Sequence, residues 1–259
     1  MNFALLNIWA DKLRPVAEEA GRAILEVRAR GFEVLAKNDG SPVTEADQIA
    51  EAMIAAEFER FQPALPIVAE ERVAADGPLD IAGDSFWLVD ALDGTKEFIR
   101  GGDDYTVNIA LIWNGAPVLG IVHAPARGDT YLGVVLGTER RAEVWRKGAA
   151  QNIAVRKRPA KVVITGSKSH EVPEKMEPFL AQYDVAEKRV IGSSLKFCLV
   201  AEGIADLYPR FGPTCEWDIG AGHAVLRAAG GRVHTFDGIE MTYKKPNYRN
   251  GGFLAEGPA

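Results

Sequence analysis

Two carboxylates stand at the end of an apolar run in the segment FWLVDALDGTKEF, residues 86–98. Asp90 and Asp93 are three positions apart, and a Gly-Thr pair follows at once. Two kinds of structure fit this pattern: a turn capped by aspartates or an oxygen cage for a hard cation. In a cage, the Leu92 carbonyl and the Thr95 hydroxyl would supply further oxygens.

Other acidic residues also follow apolar runs. Glu70 and Glu71 end the run PALPIVA, and Asp218 follows Trp217. No His or Cys accompanies them, and all-oxygen ligand sets suit Mg²⁺, Mn²⁺ or Ca²⁺ rather than zinc or copper. Taken singly, each has an ordinary explanation as a solvated pair or a helix N-cap. Their joint occurrence at strand–helix junctions favours a metal site and leaves those explanations open.

The elements that must position these residues can be predicted from apolar spacing. The N-terminal segment predicts an amphipathic helix that Pro15 kinks or divides in two. Thr44 is expected to cap a helix that runs through Phe61. β-rich runs, two of them joined by a hairpin at Asn114–Gly115, predict helices over an antiparallel-rich sheet in residues 1–154.

From about Val155 the pattern alternates between strands and helices, which predicts an α/β arrangement. A helix is expected near residues 172–183, and a strand over residues 188–194 should lead into a second helix. We therefore divide the chain into an N-terminal α+β domain, residues 1–154, with most of the metal ligands, and a C-terminal α/β domain, residues 155–259. The second domain is expected to contribute Asp218 and substrate specificity.

Composition narrows the class of protein. The 259 residues carry a formal net charge of -6, which disfavours binding to a nucleic acid polymer but allows a small anionic substrate. Cys198 and Cys215 are expected to be buried free thiols, and His123, His223 and His234 to be structural. The N-terminus is not a secretory signal, and no run is long enough to span a membrane. We expect a cytoplasmic monomer or homodimer, with peripheral inner-membrane association left open.

Three separated motifs resemble those of one known superfamily. They are AEE at 69–71, DALDGT at 90–95 and WD at 217–218, which is followed by GG at 230–231. Together they resemble the lithium-sensitive, metal-dependent phosphomonoesterases of the inositol monophosphatase-like superfamily. The resemblance implies the layered α-β-α-β-α sandwich of the inositol monophosphatase and fructose-1,6-bisphosphatase type.

Further motifs resemble one branch of that superfamily. SPVTEAD at 41–47, DGTKEF at 93–98 and GSSLKFCLVAEGIADLYPR at 192–210 are similar to the 3'(2'),5'-bisphosphate nucleotidases of the CysQ type. The implied substrate is adenosine 3',5'-bisphosphate, and its sulfated precursor 3'-phosphoadenylyl sulfate is a second possibility. Ala91 stands where the family usually has proline, so we expect the cage to survive with a slightly softer loop, and the effect on metal affinity is left open.

The resemblance also implies residue roles. Glu70, Asp90, Asp93 and Asp218 would bind two or three Mg²⁺ ions, with Mn²⁺ as a possible substitute, beside the Leu92 carbonyl. Glu70 and Thr95 would position the attacking water, whose pKa a bound metal lowers, and Asp47 would support Thr95. The reacting phosphate would also contact the amides of Gly94 and Thr95.

Substrate selection is expected in the second domain. The candidates that we propose to contact the nucleotide or its second phosphate are Ser167, His170, Ser193, Ser194 and Lys196. Equally, Ser193 is a natural N-cap and Lys196 a common solvated helix residue. Rival functions are hydrolysis of inositol-1-phosphate, histidinol phosphate or fructose bisphosphate, and metal binding without catalysis.

Overall fold

The computed structural model describes residues 1–37, 40–61, 63–167 and 172–259. Its α-helices are α1 (Phe3–Arg30), α2 (Glu45–Phe58), α3 (Glu70–Asp76), α4 (Thr95–Ile99), α5 (Pro173–Leu180), α6 (Leu195–Ala201) and α7 (Glu216–Ala228). Its strands are β1 (Val34–Ala36), β2 (Pro42–Thr44), β3 (Ile67–Ala69), β4 (Phe86–Asp93), β5 (Thr106–Trp113), β6 (Ala116–Ala124), β7 (Asp129–Leu136), β8 (Glu139–Arg146), β9 (Ala149–Asn152), β10 (Lys161–Gly166), β11 (Asp184–Val190), β12 (Leu207–Arg210), β13 (Thr214–Cys215), β14 (Arg232–His234), β15 (Arg249–Asn250) and β16 (Phe253–Glu256).

Strands β3 to β9 form a seven-stranded sheet in sequence order. The β3–β4 pair is parallel, and every following pair is antiparallel. Asn114 and Gly115 join β5 to β6 with φ values of +50° and +75°, as a tight two-residue hairpin requires. The predicted hairpin and the predicted antiparallel-rich sheet are confirmed.

Helices α1 and α2 cover one face of this sheet. The buried residues of α1 recur at helical spacing and pack against the apolar residues of β4 to β7, which explains why this stretch is amphipathic. Pro15 lies inside α1, which nevertheless runs without a break from Phe3 to Arg30. Of the two outcomes predicted for Pro15, division into two helices is therefore wrong.

Helix α2 begins at the predicted N-cap, Thr44, but ends at Phe58 rather than Phe61. The chain turns there through i to i+3 hydrogen bonds, from Phe61 N–H to the Phe58 carbonyl at 3.1 Å among them. Phe61 is 4% exposed and its ring centroid lies 5.6 Å from that of Trp9. The helix therefore stops early because core packing draws Phe61 away from the helical path.

Helices α6 and α7 form the middle layer, and α7 crosses the other face of the large sheet. A Cβ placed on Gly120 of β6 would lie 2.3 Å from the Ala221 carbonyl of α7. A Cβ on Gly133 of β7 would lie 2.4 Å from Val225 Cα. Helix and sheet therefore touch backbone to backbone, which fixes the height of α7 and of Asp218 near its start.

The second sheet has the order β11-β10-β12-β16-β14. Strands β10, β11 and β12 are parallel, whereas β16 is antiparallel to its neighbours β12 and β14. Helix α5 covers its outer face through Phe179, which packs with Val162, Ile164 and Leu207. Helix, sheet, helix, sheet and helix thus follow in layers, and the predicted α-β-α-β-α sandwich is confirmed.

The strand predicted over residues 188–194 is displaced, because β11 runs from Asp184 to Val190. Beyond it, Gly192 turns toward another loop and Ser193 has a φ of +46°, which no strand accommodates. The following helix, α6, ends at Ala201. Residues 192–194 thus leave the sheet at the point where the sequence carries its candidate substrate contacts.

The division into residues 1–154 and 155–259 stays a prediction; α7, from the second part, packs on the sheet of the first. Within the described residues, no helix combines the length and apolarity needed to cross a bilayer. Neither cysteine there forms a disulfide, as predicted. Cys198 is buried as expected, whereas Cys215 is only partly buried because it caps α7 beside a cavity.

Candidate functional site

A cavity of about 900 Å³ collects most of the predicted site residues. Those that line it are Glu70, Asp90, Leu92, Asp93, Gly94, Thr95, Ser167, Ser193, Lys196 and Asp218. Asp47 and Ser194 lie behind its wall, and His170 lies outside the described residues. Residues from β4, α6 and α7 meet here, so the separated sequence motifs converge on one place.

Three of the predicted ligands form a compact carboxylate cluster: Glu70, Asp90 and Asp218. One oxygen from each lies within 4.8 Å of the others. Parallel pairing brings the ends of β3 and β4 together, which sets Glu70 beside Asp90, and α7 brings Asp218 from the opposite side. Burial, reinforced by the neighbouring carboxylates, raises the pKa of Asp90 and of Asp218 well above the ordinary range.

Asp93 belongs to the same wall but has a second set of contacts. Its Oδ2 accepts hydrogen bonds from the Ser194 N–H at 2.8 Å and from Asn108 Nδ2 at 3.4 Å. The register of β4 against β5 shifts between Asp90 and Asp93, and both carboxylates line the same cavity, although a regular strand would place residues three apart on opposite faces. Burial raises the pKa of Asp93, and Lys196 opposes that shift.

The loop with Ala91 in place of proline is closed by local contacts. The Leu92 N–H donates to Asp90 Oδ1 at 3.1 Å, and Ala91 itself is 2% exposed. The backbone between the two aspartates is therefore held by a hydrogen bond and by burial. The expected softening of the loop by Ala91 stays a prediction.

The cluster suits a hard divalent cation. Its donors are carboxylate oxygens, which Mg²⁺, Mn²⁺ and Ca²⁺ prefer. Carboxylates held this close repel one another, which adds to the effect of burial in raising the pKa of Asp90 and Asp218, and a bound cation removes that repulsion. The residues present therefore fit the metal that the family resemblance implies.

Lys37 is a cation at this cluster that the sequence analysis did not single out. Its Nζ donates to Glu70 Oε1 and to Glu71 Oε1, each at 2.6 Å. Its side chain is 7% exposed, and the two glutamates raise its pKa above the ordinary lysine value despite the opposing effect of burial. Lys37 therefore partly neutralises Glu70, so this ammonium group and a metal ion would share one ligand.

Thr95 stands in the arrangement expected for a water-positioning hydroxyl. Its Oγ1 lies 3.0 Å from Asp47 Oδ1 and 3.1 Å from the Leu92 carbonyl. Asp47 Oδ2 accepts from the N–H and the hydroxyl of Thr44, both at 2.8 Å. Asp47 is thus fixed at the start of α2 with one oxygen turned to Thr95, as the predicted support role requires.

Lys196 is not a solvated helix lysine. Its side chain is buried, with 4% of the residue exposed, and its Nζ donates to the Ser193 carbonyl at 2.5 Å. The same Nζ lies 5.5 Å from the centroid of the Tyr208 ring. Burial lowers the pKa of Lys196 to about 8, against the opposing effect of Asp93.

Ser194 occupies a different place from that expected of a substrate contact. It is 1% exposed, and its hydroxyl donates to the Asp218 carbonyl at 2.7 Å and accepts from Asn108 at 3.0 Å. Ser194 therefore links two acidic residues: its hydroxyl binds the Asp218 carbonyl, and its backbone N–H binds the Asp93 carboxylate. Ser193 and Ser167, in contrast, line the cavity.

Arg210 is a second cation that the sequence analysis did not assign, although the quoted motif 192–210 ends on it. It lines the cavity and its guanidinium donates to the carbonyls of Gly212, at 3.2 Å, and Pro213, at 3.1 Å. It also lowers the pKa of Lys196, as a neighbouring positive charge does. The cavity wall therefore carries these two cations close to the carboxylates Asp93 and Asp218.

Comparison with known proteins gives consistent matches. The sequence profile of the inositol monophosphatase family matches residues 9–256. The chain is 43% identical over 252 residues to the 3'(2'),5'-bisphosphate nucleotidase CysQ of Escherichia coli O157:H7, covering 94% of this chain and 97% of that protein.

Solved structures agree. CysQ from Bacteroides thetaiotaomicron, a bacterial member of the inositol monophosphatase family, has a TM-score of 0.78 at 32% identity, covering 94% of this chain and 95% of that one. Inositol monophosphatase from Anabaena (Nostoc) sp. PCC 7120 has a TM-score of 0.75 at 23% identity, covering 98% and 92%. At that identity the second structure shows the shared fold alone.

Proposed function

Because the chain belongs to the inositol monophosphatase family, as its motifs predicted, we propose that it is a 3'(2'),5'-bisphosphate nucleotidase. Its substrate is adenosine 3',5'-bisphosphate, with 3'-phosphoadenylyl sulfate as a further one. The observation that carries this proposal is one cavity lined both by the carboxylate cluster and by two cationic side chains, Lys196 and Arg210.

Glu70, Asp90, Asp93 and Asp218 would hold Mg²⁺, together with the Leu92 carbonyl. A bound ion supplies charge stabilisation to the transferring phosphoryl group and lowers the pKa of a water molecule. The family relation and the hard-oxygen donor set support this assignment, with two or three ions expected and Mn²⁺ as a substitute.

The chain's own residues would then position the water and take its proton. Glu70 and Thr95 orient the water toward phosphorus, with the Thr95 hydroxyl hydrogen directed at Asp47 Oδ1, 3.0 Å away. That orientation leaves a Thr95 lone pair to accept a hydrogen bond from the water. The water oxygen bonds to phosphorus as the bond to the ribose 3'-oxygen breaks. The water's proton would pass by way of the Thr95 hydroxyl to Asp47, and the departing ribose oxygen would take a proton from solvent water.

The two cationic side chains of the cavity wall support a substrate with a second anionic group. Lys196 and Arg210 would bind the 5'-phosphate, because charge-assisted hydrogen bonds are stronger than neutral ones. Inositol-1-phosphate and histidinol phosphate carry one phosphate only, so neither offers a second phosphate to Lys196 and Arg210. These two cations therefore favour a bisphosphate over those rivals.

A substrate panel with Mg²⁺ tests the proposal, and Lys196→Ala sharpens it. We expect kcat/KM for adenosine 3',5'-bisphosphate to fall about tenfold to a hundredfold, because a hydrogen bond to a charged group contributes about 1.5–3 kcal/mol. A small phosphomonoester without the second phosphate should be affected much less, and Mg²⁺ dependence should not change.

The control is Lys161→Ala, at an exposed lysine of β10. This variant should leave kcat/KM unchanged for both substrates. An equal loss on both substrates in Lys196→Ala would mean that Lys196 serves the reacting phosphate or the fold. Hydrolysis of inositol-1-phosphate in preference to the bisphosphate by the wild-type protein would refute the proposed function directly.

A further inference from the structure

The segment 101–105, between α4 and β5, is held against α1, and its residue Asp104 lines the cavity. Arg28 of α1 donates to the Gly101 carbonyl at 2.5 Å and to the Gly102 carbonyl at 3.0 Å. Its guanidinium also lies 3.2 Å from the Tyr105 hydroxyl, and Tyr105 is fully buried. Asp104, which lies between the anchored residues Gly102 and Tyr105, therefore has little freedom to move.

Asp104 connects this segment to the loop 192–196. Its Oδ2 accepts the Gly192 N–H at 3.0 Å, and its Oδ1 accepts from Arg127, which lies in the turn between β6 and β7. One carboxylate therefore joins three separate segments. Its side chain is 22% exposed and that of Arg127 41%.

The backbone of Asp104 also packs between two glycines. A Cβ on Gly192 would stand 2.6 Å from the Asp104 carbonyl oxygen, and a Cβ on Gly94 would stand 3.0 Å from the same atom. Gly94 belongs to the turn that carries Thr95, and Gly192 opens the loop that carries Lys196. The turn that carries Thr95 and the loop that carries Lys196 therefore both pack against Asp104.

The position of Lys196 depends on the contact between Asp104 and Gly192. Gly192 precedes Ser193, whose φ of +46° is unfavourable for a residue with a side chain. The Ser193 carbonyl accepts the Lys196 Nζ at 2.5 Å. A hydrogen bond that fixes Gly192 therefore holds the strained residue in place and, through its carbonyl, the ammonium group of Lys196.

We propose that Asp104, oriented by Arg127, is a positioning residue that fixes the Gly192–Lys196 loop and so sets selectivity for a substrate with a second anionic group. This inference rests on the proposed function. Asp104 lines the cavity, but its two carboxylate oxygens are engaged by Gly192 and Arg127, so it acts through the loop. Arg127 is not among the residues that line the cavity, so its effect on selectivity would be indirect.

The test compares Asp104→Asn and Arg127→Ala with the wild-type protein on adenosine 3',5'-bisphosphate and on a small phosphomonoester. We expect Asp104→Asn to raise KM for the bisphosphate about tenfold, as loss of an outer hydrogen-bonding partner does, with kcat nearly unchanged. Arg127→Ala should raise it about threefold, since partly exposed ion pairs contribute less, without affecting the small ester. Arg127→Lys should restore most of the loss.

The chain offers a matched control in Arg156. Arg156 binds Asp206 with two hydrogen bonds of 2.8 Å, and Asp206 accepts the Val163 N–H at 2.7 Å. This repeats the arrangement of arginine, aspartate and backbone N–H at 42% exposure of the arginine side chain, away from the cavity. Arg156→Ala should lower the melting temperature and leave the KM ratio of the two substrates unchanged.

A double-mutant comparison separates the two proposals. In a Lys196→Ala background, Asp104→Asn should add less than a twofold loss on the bisphosphate, because both residues act through one loop. Fully additive losses, or equal losses on both substrates, would overturn the positioning role. If the wild-type protein shows no preference for the bisphosphate, the proposed function fails at that measurement. The positioning role is then tested on whichever substrate of the panel is sensitive to Lys196→Ala.

Discussion

Two helices of this protein begin with the same local motif and use it differently. In α2, the N-cap residue Thr44 is followed three positions later by Asp47; in α7, Cys215 is followed by Asp218. Each aspartate turns one oxygen back to the backbone N–H of its cap, at 2.8 Å in α2 and 2.7 Å in α7. Both helices therefore start in the same way.

The remaining contacts of the two aspartates differ. Asp47 also receives the hydroxyls of Thr44 and Thr95. Within the described part of the chain, the Asp218 carboxylate receives only the Cys215 N–H, and its neighbours are Glu70 and Asp90. The comparison teaches that a capping aspartate surrounded by donors supports structure, whereas one surrounded by other carboxylates is suited to bind a cation.

Asp218→Asn should have the largest effect. Asparagine keeps the shape and the cap but loses the charge that would hold a cation, so we expect kcat/KM to fall at least about a hundredfold, given several kcal/mol of metal-ion stabilisation. The fold should persist, and the metal-free protein should melt no lower than wild type because repulsion within the cluster decreases. Retention of more than a tenth of wild-type activity in saturating Mg²⁺ would contradict the assignment.

Asp47→Asn should have a smaller effect on rate and an opposite effect on stability. Loss of the support to Thr95 should lower kcat about tenfold to a hundredfold. A weakened N-cap should cost about 0.5–2 kcal/mol of unfolding free energy, measured by urea denaturation. Loss of stability by Asp218→Asn as large as that by Asp47→Asn would mean that both aspartates are structural.

Mg²⁺ should stabilise the protein through Asp218 at the start of α7 and not through Asp47 at the start of α2. At a concentration near a hundred times Kd, a ligand adds about 2.7 kcal/mol, which for a chain of this size corresponds to a rise of about 5–10 °C in Tm. Asp47→Asn should keep this rise and Asp218→Asn should lose most of it. Thermal melts with EDTA and with Mg²⁺ measure both, and an equal rise in the two variants would place the cation elsewhere.

The smallest effect concerns pH. Because burial and neighbouring carboxylates raise the pKa of Asp90 and Asp218 in the folded state, these two groups bind more protons in the folded protein than in the unfolded chain. Stability from this source is complete below the unfolded aspartate pKa of about 3.9 and is lost as pH rises through the raised values. Metal-free protein should therefore unfold more easily at about pH 8 than at about pH 5. Asp218→Asn should reduce the loss of unfolding free energy between these two pH values. A larger loss in this variant than in the wild-type protein would contradict the prediction.

The carboxylate motifs were predictable because their information is local. Asp90, Asp93, Gly94 and Thr95 are adjacent in sequence, and their spacing on a strand end and turn indicates their joint use. The α2 N-cap at Thr44 was predictable for the same reason, since a capping side chain bonds within its own turn. The five-layer fold followed from the family resemblance rather than from spacing alone.

Residues whose role depends on distant partners were missed. Lys37 meets Glu70 across 33 positions of sequence, and Asp104 meets Gly192 across 88. The spacing of apolar residues along the sequence does not indicate such long-range pairs. The early end of α2 has the same origin, because the packing of Phe61 against Trp9 decides it. Burial of Lys196 likewise comes from the second sheet, through Tyr208.

The close contact of α7 with the large sheet has a consequence for protein synthesis. About 70 residues lie between the end of β8 at Arg146 and the start of α7 at Glu216. At about 5–20 residues per second, a ribosome needs roughly 4–14 s to make them. During that interval the sheet face that α7 will cover, which includes Leu88, Ala110 and Val122, has no helix to bury it. A nascent chain that stalls in this interval exposes an apolar surface suited to chaperone binding.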